Sequence, residues 1–112
     1  MIIIWHSPRC SKSRQTLALI EDKGEITIRR YLDDAPTVAE IEAVQAKLGV
    51  KAIEMMRPKE ARFKELGLSK TDSDATLRTA MAENPILIER PIVITDTTAA
   101  IGRPPAAVLD IL

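Results

Sequence analysis

The N-terminal stretch constrains the fold most strongly, because it leads from a buried strand directly into a helix. Ile2 to Trp5 is a continuous apolar run with β-branched residues, which is typical of a central strand buried on both faces. Ser7-Pro8 breaks the run, and helical spacing begins near Ser11. The only cysteine of the chain, Cys10, is therefore expected at the start of a helix.

The remaining pattern predicts an α/β fold of the thioredoxin-like kind, a sandwich built on a mixed four-stranded sheet. A helix over 11–23 is followed by a second strand near 26–28, and the strong strand signal at 92–95 is followed by a hairpin partner at 99–101. A last helix follows Gly102. This architecture follows from the order of the elements. The N-terminal part has a strand, a helix and a parallel strand, and the C-terminal part has a hairpin followed by a helix.

The middle of the chain predicts helices only, and we interpret it as an insertion at about 37–83 within a single domain spanning 1–112. Thr37 and Glu40 have the spacing of a capping box at the start of one of these helices. In the first helix of the chain the apolar face is predicted from Leu17, Ala18, Leu19 and Ile20. In the last helix it is predicted from Val108, Leu109 and Leu112.

Composition excludes several classes of protein. The chain has 112 residues with 16 Lys+Arg and 16 Asp+Glu, so its zero net charge gives no general attraction to nucleic acid or membranes. One cysteine excludes an internal disulfide, and together with a single histidine it cannot supply an ordinary zinc site. The first five residues are too short for a signal sequence, and no apolar run reaches membrane-spanning length. We expect a cytoplasmic protein.

Two interpretations of Cys10 remain open on spacing alone. A thiol at a helix N-terminus, near cations, has a lowered pKa and becomes a nucleophile. Arg9, Lys12 and Arg14 are close in sequence, and His6 lies across the turn. The alternatives are that Cys10 is a small buried apolar residue, that His6 has only a structural role, and that the three basic side chains form a solvated surface.

The fourth residue of the cysteine motif is Ser13, so the chain has Cys-x-x-Ser and lacks a resolving thiol at the usual redox spacing. If Cys10 takes part in redox chemistry, the second thiol must come from glutathione or a partner protein. The Ser13 hydroxyl could donate a hydrogen bond to the sulfur.

Arg57, Arg90 and Arg103 each precede a proline, which restrains the backbone of the residue before it. An arginine held in this way suits the binding of a tetrahedral oxyanion through paired hydrogen bonds. Pro91 also precedes the strong strand, where a cis-proline would fit a thioredoxin-like site. The alternative is three unrelated surface arginines.

Four motifs in order resemble one family over nearly the whole chain: His6-x-Pro8-x-Cys10-Ser11-Lys12-Ser13-Arg14, Arg57 after Met55-Met56, Glu89-Arg90-Pro91-Ile92-Val93, and Ile101-Gly102-Arg103-Pro104-Pro105. The chain is similar to the glutaredoxin-dependent arsenate reductases of the thioredoxin-fold class.

This resemblance implies that the Cys10 thiolate attacks arsenate held by Arg57, Arg90 and Arg103. Glutathione as co-substrate and glutaredoxin would then release arsenite, with no bound cofactor, in a reaction of arsenic detoxification. His6 and Arg14 would help to keep Cys10 ionised. A non-catalytic redox-responsive regulator and a thiol-transfer protein are the alternatives on the same fold.

Overall fold

A mixed four-stranded sheet joins the two ends of the chain in the computed structural model, which describes all residues from Met1 to Leu112. The strands are β1 (Ile2–Trp5), β2 (Ile26–Arg29), β3 (Ile92–Ile94) and β4 (Ala99–Ile101). Their order is β2-β1-β3-β4; β1 is parallel to β2 and antiparallel to β3, and β3 is antiparallel to β4. This topology confirms the predicted thioredoxin-like α/β fold.

The chain divides into two compact units. The first, which we call the sheet unit, comprises Met1–Asp34 and Arg90–Leu112; the second, the helical unit, comprises Ala35–Glu89. The predicted insertion at about 37–83 lies inside the helical unit. Its place within a single domain stays a prediction.

The core of the sheet unit forms around β1 and β3. Ile4 lies opposite Val93 in the register of these two strands, and both side chains are fully buried together with Ile20 and Val108. Because β1 has strand neighbours on both sides, its continuous apolar run matches the expected central strand.

Helix α1 (Ser11–Ile20) ends three residues before the predicted end, and its buried face is partly polar. The buried residues are Ser13, Thr16 and Ile20, whereas Leu19 is 38% exposed. Positions spaced by three and four residues share one side of a helix, so the predicted face that included Ala18 and Leu19 was wrong. The buried hydroxyl of Ser13 contacts His6 and Ser7 in the segment 6–10, which we call the cysteine loop.

The last helix is a 3₁₀ helix over Pro105–Ile111. With three residues per turn, Val108 and Ile111 point to the same side, where Val108 is fully buried and Ile111 packs against the core cluster. Leu109 and Leu112 are 36% and 42% exposed, so their predicted place on the apolar face was wrong.

The helical unit contains three α-helices, α2 (Val38–Leu48), α3 (Ala61–Glu65) and α4 (Asp74–Glu83), with 3₁₀ helices at Ala52–Met55 and Pro85–Leu87. The capping box is confirmed: the Glu40 N–H donates to Thr37 Oγ1 at 3.1 Å and the Thr37 N–H donates to Glu40 Oε1 at 3.0 Å. None of the helices is long and apolar enough to cross a membrane.

Candidate active site

Sheet register brings three separate segments to one end of the sheet unit. Trp5 ends β1 and pairs with Ile92, the first residue of β3, which in turn pairs with Ile101, the last residue of β4. The loop that follows Trp5, the residues that precede Ile92 and the residues that follow Ile101 must therefore lie at the same end. These segments carry Cys10, Arg90 and Arg103 respectively.

Cys10 is the N-cap residue of α1, as the sequence predicted. Its N–H donates to the Ser7 carbonyl oxygen at 3.0 Å, and its own carbonyl oxygen accepts the Arg14 N–H at 3.0 Å. The backbone N–H groups of Ser13 and Lys12 at the open helix end face the sulfur. The thiol is free and partly exposed, so it is accessible to a small reagent.

The surroundings of Cys10 favour its thiolate form. Burial raises the pKa of the Cys10 thiol, but the Ser13 N–H, the Arg90 guanidinium and the Lys12 N–H together outweigh that effect and leave the pKa below its ordinary value. A lowered pKa makes this cysteine a better nucleophile at neutral pH.

Two arginines converge on the sulfur. Arg90 donates a hydrogen bond to it, and Arg103 Nη2 lies 3.8 Å from Sγ. Arg103 Nε also donates to the Arg90 carbonyl oxygen at 3.0 Å, which ties the two segments together. Any tetrahedral anion bound next to the sulfur would therefore meet two guanidinium groups.

Both arginines precede a cis-proline. The Arg90–Pro91 peptide bond is cis, as the sequence predicted, and the Arg103–Pro104 bond is also cis, which was not predicted. Pro91 is buried, and its carbonyl oxygen accepts the Gly102 N–H at 2.9 Å. These contacts hold the two arginine segments side by side.

His6 and Ser13 support the loop from inside. His6 is 6% exposed, its Nδ1 lies 2.6 Å from Ser13 Oγ, and the Ser13 hydroxyl also accepts the Ser7 N–H at 3.0 Å. The suggested hydrogen bond from the Ser13 hydroxyl to the sulfur was wrong, because this hydroxyl is occupied by His6 and Ser7 while the Ser13 backbone N–H faces Cys10.

The pKa of His6 lies below its ordinary value. Burial is the largest cause, and the positive charges of Arg30 and Arg14 add to it. His6 is therefore neutral at pH 7, so it brings no positive charge to the Cys10 thiolate. Arg14 is exposed and donates from Nη1 to the Pro8 carbonyl oxygen at 2.9 Å, a contact that secures the loop.

Arg57 belongs to the helical unit, where two carboxylates hold its guanidinium. Its Nε lies 3.1 Å from Glu60 Oε1, and its Nη1 lies 3.1 Å from Glu89 Oε1. Its backbone N–H donates to the Leu87 carbonyl oxygen at 2.8 Å. The predicted place of Arg57 in an oxyanion clamp stays a prediction.

Sequence reasoning missed one residue of this site, Tyr31. Its side chain is fully buried, and its hydroxyl interacts with the Arg90 guanidinium. The only sequence signal was its position just after β2, whose last residue, Arg29, pairs with Trp5. Side-chain partners across the sheet end are not encoded in local spacing.

Comparison with known proteins extends over almost the whole chain. The model of the ArsC family matches residues 5–111. The arsenate reductase of Haemophilus influenzae is 48% identical, with 99% of this chain and 98% of that protein covered, and the arsenate reductase of Neisseria meningitidis serogroup A is 47% identical over 92% and 91%. The structure of an arsenate reductase from Vibrio cholerae superposes with a TM-score of 0.94 at 47% identity, covering 99% of this chain and 97% of that one. The chain therefore belongs to the ArsC family.

Proposed function

We propose that this protein is an arsenate reductase that uses Cys10 as its nucleophile and takes its electrons from glutathione and glutaredoxin. The observation that carries the proposal is the convergence of Arg90 and Arg103 on a sulfur with a lowered pKa at a helix N-terminus. The similarity to the arsenate reductases described above supports arsenate as the oxyanion.

In the proposed reaction the Cys10 thiolate attacks the arsenic of arsenate and displaces one oxygen as water, forming a thiol-arsenate adduct. The guanidinium groups of Arg90 and Arg103 stabilise the negative charge on the remaining oxygens. The glutathione thiolate then attacks the Cys10 sulfur of the adduct and forms a Cys10–glutathione disulfide. The sulfur–arsenic bond breaks and leaves its electron pair on arsenic, which is reduced from As(V) to As(III). Arsenite leaves, and glutaredoxin reduces the resulting mixed disulfide to return Cys10.

The need for an external reductant follows from the sequence. Two-electron reduction by thiols consumes two sulfur atoms, and this chain has one cysteine. A second thiol must therefore come from another molecule. Glutathione and glutaredoxin are the proposed donors, and the cytoplasm, which is kept reducing by such thiols, is the proposed location.

Arg57 is proposed as a third oxyanion ligand by resemblance. Its charge is compensated by Glu60 and Glu89 within the helical unit, so each bond to an oxyanion would compete with a carboxylate. We expect its contribution to be smaller than that of Arg90, which contacts the Cys10 sulfur.

The test is arsenite production in the presence of glutathione and glutaredoxin. Cys10→Ser should abolish the activity, and Arg90→Ala should lower kcat/KM by about 100-fold, the usual loss for a removed oxyanion donor. Lys23→Ala, an exposed cation beyond the far end of α1, is the control and should retain the wild-type rate. Arsenite production that survives Cys10→Ser would refute the mechanism, and an unchanged Arg90→Ala enzyme would refute the clamp.

A further inference from the structure

A buried hydroxyl on α1 joins the cysteine loop to the first turn of the helix. Ser13 is fully buried, and its Oγ lies 2.6 Å from Nδ1 of His6 and accepts the Ser7 N–H at 3.0 Å. The Ser7 carbonyl oxygen in turn accepts the Cys10 N–H at 3.0 Å. A line of hydrogen bonds therefore leads from the His6 imidazole through Ser13 and Ser7 to the backbone of Cys10.

The position of the proton between Ser13 and His6 follows from a count of donors and acceptors. A serine hydroxyl has one proton and two lone pairs, and a neutral imidazole has one donor nitrogen and one acceptor nitrogen. The Ser7 N–H donates to Ser13 Oγ, and the only other partner of this oxygen is His6 Nδ1. The hydroxyl proton therefore has a single available acceptor, which is Nδ1.

The opposite arrangement would leave a buried donor unsatisfied. If Nδ1 carried the proton, Ser13 Oγ would accept two N–H groups, and its own proton would have no acceptor in a fully buried place. A buried donor without an acceptor costs more than a typical hydrogen bond contributes. When the hydroxyl donates to Nδ1, the ring carries its proton on Nε2, which is open to solvent and can donate to water.

The same hydroxyl fixes the chain that enters α1. Cys10 is the N-cap residue, but its side chain makes no capping hydrogen bond. Ser13, the third residue of the helix, instead accepts an N–H from the segment before the helix, much as the third residue does in a capping box. The turn that ends at Cys10 is thereby attached to the helix end whose N–H groups lack helical partners.

We propose that Ser13 is a positioning residue whose hydroxyl donates to Nδ1 of His6 and holds the imidazole as its Nε2–H tautomer. By accepting the Ser7 N–H, the same hydroxyl oxygen fixes the turn that presents the Cys10 sulfur. This role stands on the hydrogen bonds alone, and its extension to the attack on arsenate rests on the proposed function.

The first experiment is NMR of the ring nitrogens of His6, the only histidine, in the wild-type chain. At about pH 8, above the ordinary histidine pKa of about 6.5, the ring is neutral. We expect the chemical shift of a protonated nitrogen at Nε2 and that of an unprotonated nitrogen at Nδ1. In Ser13→Ala both shifts should move toward the averages of a ring that exchanges between tautomers. A proton on Nδ1 in the wild-type chain would overturn the proposal.

The second experiment measures alkylation of Cys10 by iodoacetamide between about pH 7 and about pH 10, where His6 stays neutral while the thiol ionises. Because the chain has one cysteine, every alkylation event reports on the same sulfur. Ser13→Ala releases the turn from the helix end, so the pKa of Cys10 should rise. Alkylation below that pKa should slow by about threefold to tenfold while the rate at high pH is unchanged. An unaltered pH profile would overturn the proposal.

Thr16→Ala is the matched control, because Thr16 carries another fully buried hydroxyl on the same helix. Its Oγ1 donates to the Lys12 carbonyl oxygen at 2.8 Å, within α1, and makes no hydrogen bond to the cysteine loop. Thr16→Ala and Ser13→Ala should both lower the midpoint of chemical denaturation, since each removes a buried hydrogen bond. Only Ser13→Ala should change the pH profile of alkylation. Equal slowing by the two variants would refute a positioning role.

Substitutions of His6 test whether an acceptor at Nδ1 is required. His6→Asn places an amide oxygen near the position of Nδ1, so it can still accept the Ser13 hydroxyl proton. His6→Phe keeps a ring but offers no acceptor. Alkylation should keep most of its wild-type pH profile in His6→Asn and should slow in His6→Phe. A wild-type profile in His6→Phe would overturn the proposal.

These readouts use no arsenate, so they fail independently of the proposed function. If arsenate reduction is absent but Ser13→Ala still shifts the alkylation profile, the substrate assignment falls and the positioning role stands. If arsenate reduction is present and Ser13→Ala leaves the alkylation profile unchanged, the positioning role falls alone.

Discussion

At the scale of single residues, Cys10 and His6 both favour their deprotonated forms, for different reasons. Cys10 gains from N–H groups and a guanidinium, whereas His6 is held neutral by burial and by nearby arginines. A neutral imidazole cannot stabilise a thiolate by charge. The support that His6 gives to Cys10 must pass through Ser13, whose hydroxyl it contacts and whose N–H faces the sulfur.

The ionisation of His6 should therefore destabilise the fold. Its folded pKa is depressed, so the unfolded chain, with a histidine pKa of about 6.5, takes up the proton first. The contribution of neutral His6 is complete above about pH 6.5 and is lost as the pH falls from there through the lower folded pKa. NMR titration of this only histidine should give a pKa below about 6.5, and the free energy of unfolding should decline over the same interval.

His6→Asn is the matched variant, because it keeps a polar side chain and removes the titration. The decline in the free energy of unfolding between about pH 6.5 and the folded pKa should be smaller in His6→Asn than in wild type. A measured His6 pKa at or above the ordinary histidine value would contradict the expectation.

Prediction from sequence succeeded at this scale where the signal was local. Cys10 at the helix start and the cis bond before Pro91 follow from neighbouring residues, and both are confirmed. The Ser13 hydroxyl was assigned to the wrong partner because Ser7 and His6 compete for it from across the loop. Tyr31 was missed for a related reason, since its partner Arg90 is distant in sequence.

At the scale of elements, one glycine decides how closely the end of β4 approaches α1. Gly102 follows β4, and its N–H donates to the Pro91 carbonyl oxygen at 2.9 Å. A Cβ at this position would lie 2.5 Å from Thr16 Oγ1 and 2.8 Å from Pro91 Cγ. The absence of a side chain allows Arg103, the next residue, to reach Arg90 and Cys10.

Gly102→Ala should therefore destabilise the fold by about 1–3 kcal/mol, the usual cost of overpacking a buried site. Because relief of the clash must move β4, Thr16 or Pro91, the variant should also weaken the contact of Arg103 with Cys10 and slow arsenate reduction. Chemical denaturation gives the free energy of unfolding, and the activity assay gives the second effect.

Thr16→Ala supplies the control for Gly102→Ala, because it removes the nearest clashing atom. The cost of Gly102→Ala should be smaller in the Thr16→Ala background than in wild type, since Thr16 Oγ1 is absent and only Pro91 resists. An equal cost in both backgrounds would show that the close approach to Thr16 is not what excludes a side chain.

The sequence predicted the type of each element more successfully than it predicted which residues of the element are buried. All four strands and the capping box at Thr37 are confirmed. The buried face of α1 includes Ser13 and Thr16, because the helix carries the loop and its hydrogen bonds as well as the core. The last helix buries Val108 rather than Leu109, because it has the 3₁₀ period.

At the scale of the whole chain, a net charge of zero conceals a separation of charge within the sheet unit. Arg9, Lys12 and Arg14 are exposed near the N-terminal end of α1, whereas Glu21 and Asp22 follow its C-terminal end, about 15 Å away along the helix axis. The helix dipole adds positive potential at the end that carries Cys10. An anion approaching the sulfur should therefore be attracted even before it meets Arg90 and Arg103.

This field should be measurable with two alkylating reagents that differ mainly in charge. The ratio of the rates of Cys10 alkylation by iodoacetate, an anion, and by iodoacetamide, which is neutral, should be high at low ionic strength. It should fall several-fold at about 1 M salt, where the screening length is about 3 Å. The same ratio for 2-mercaptoethanol, a neutral free thiol, should change little.

Charge-removing variants locate the source of the attraction. Arg9→Gln combined with Lys12→Gln should lower the ratio at low salt, because these exposed cations flank Cys10 and form no ion pair. Lys23→Gln removes one positive charge at the opposite end of α1 and should leave the ratio nearly unchanged. A ratio that is insensitive to salt in wild type would mean that only the two guanidinium groups in contact with the sulfur act on an incoming anion. A ratio that falls by the same factor for each charge removed in both variants would mean that net charge matters and its placement does not.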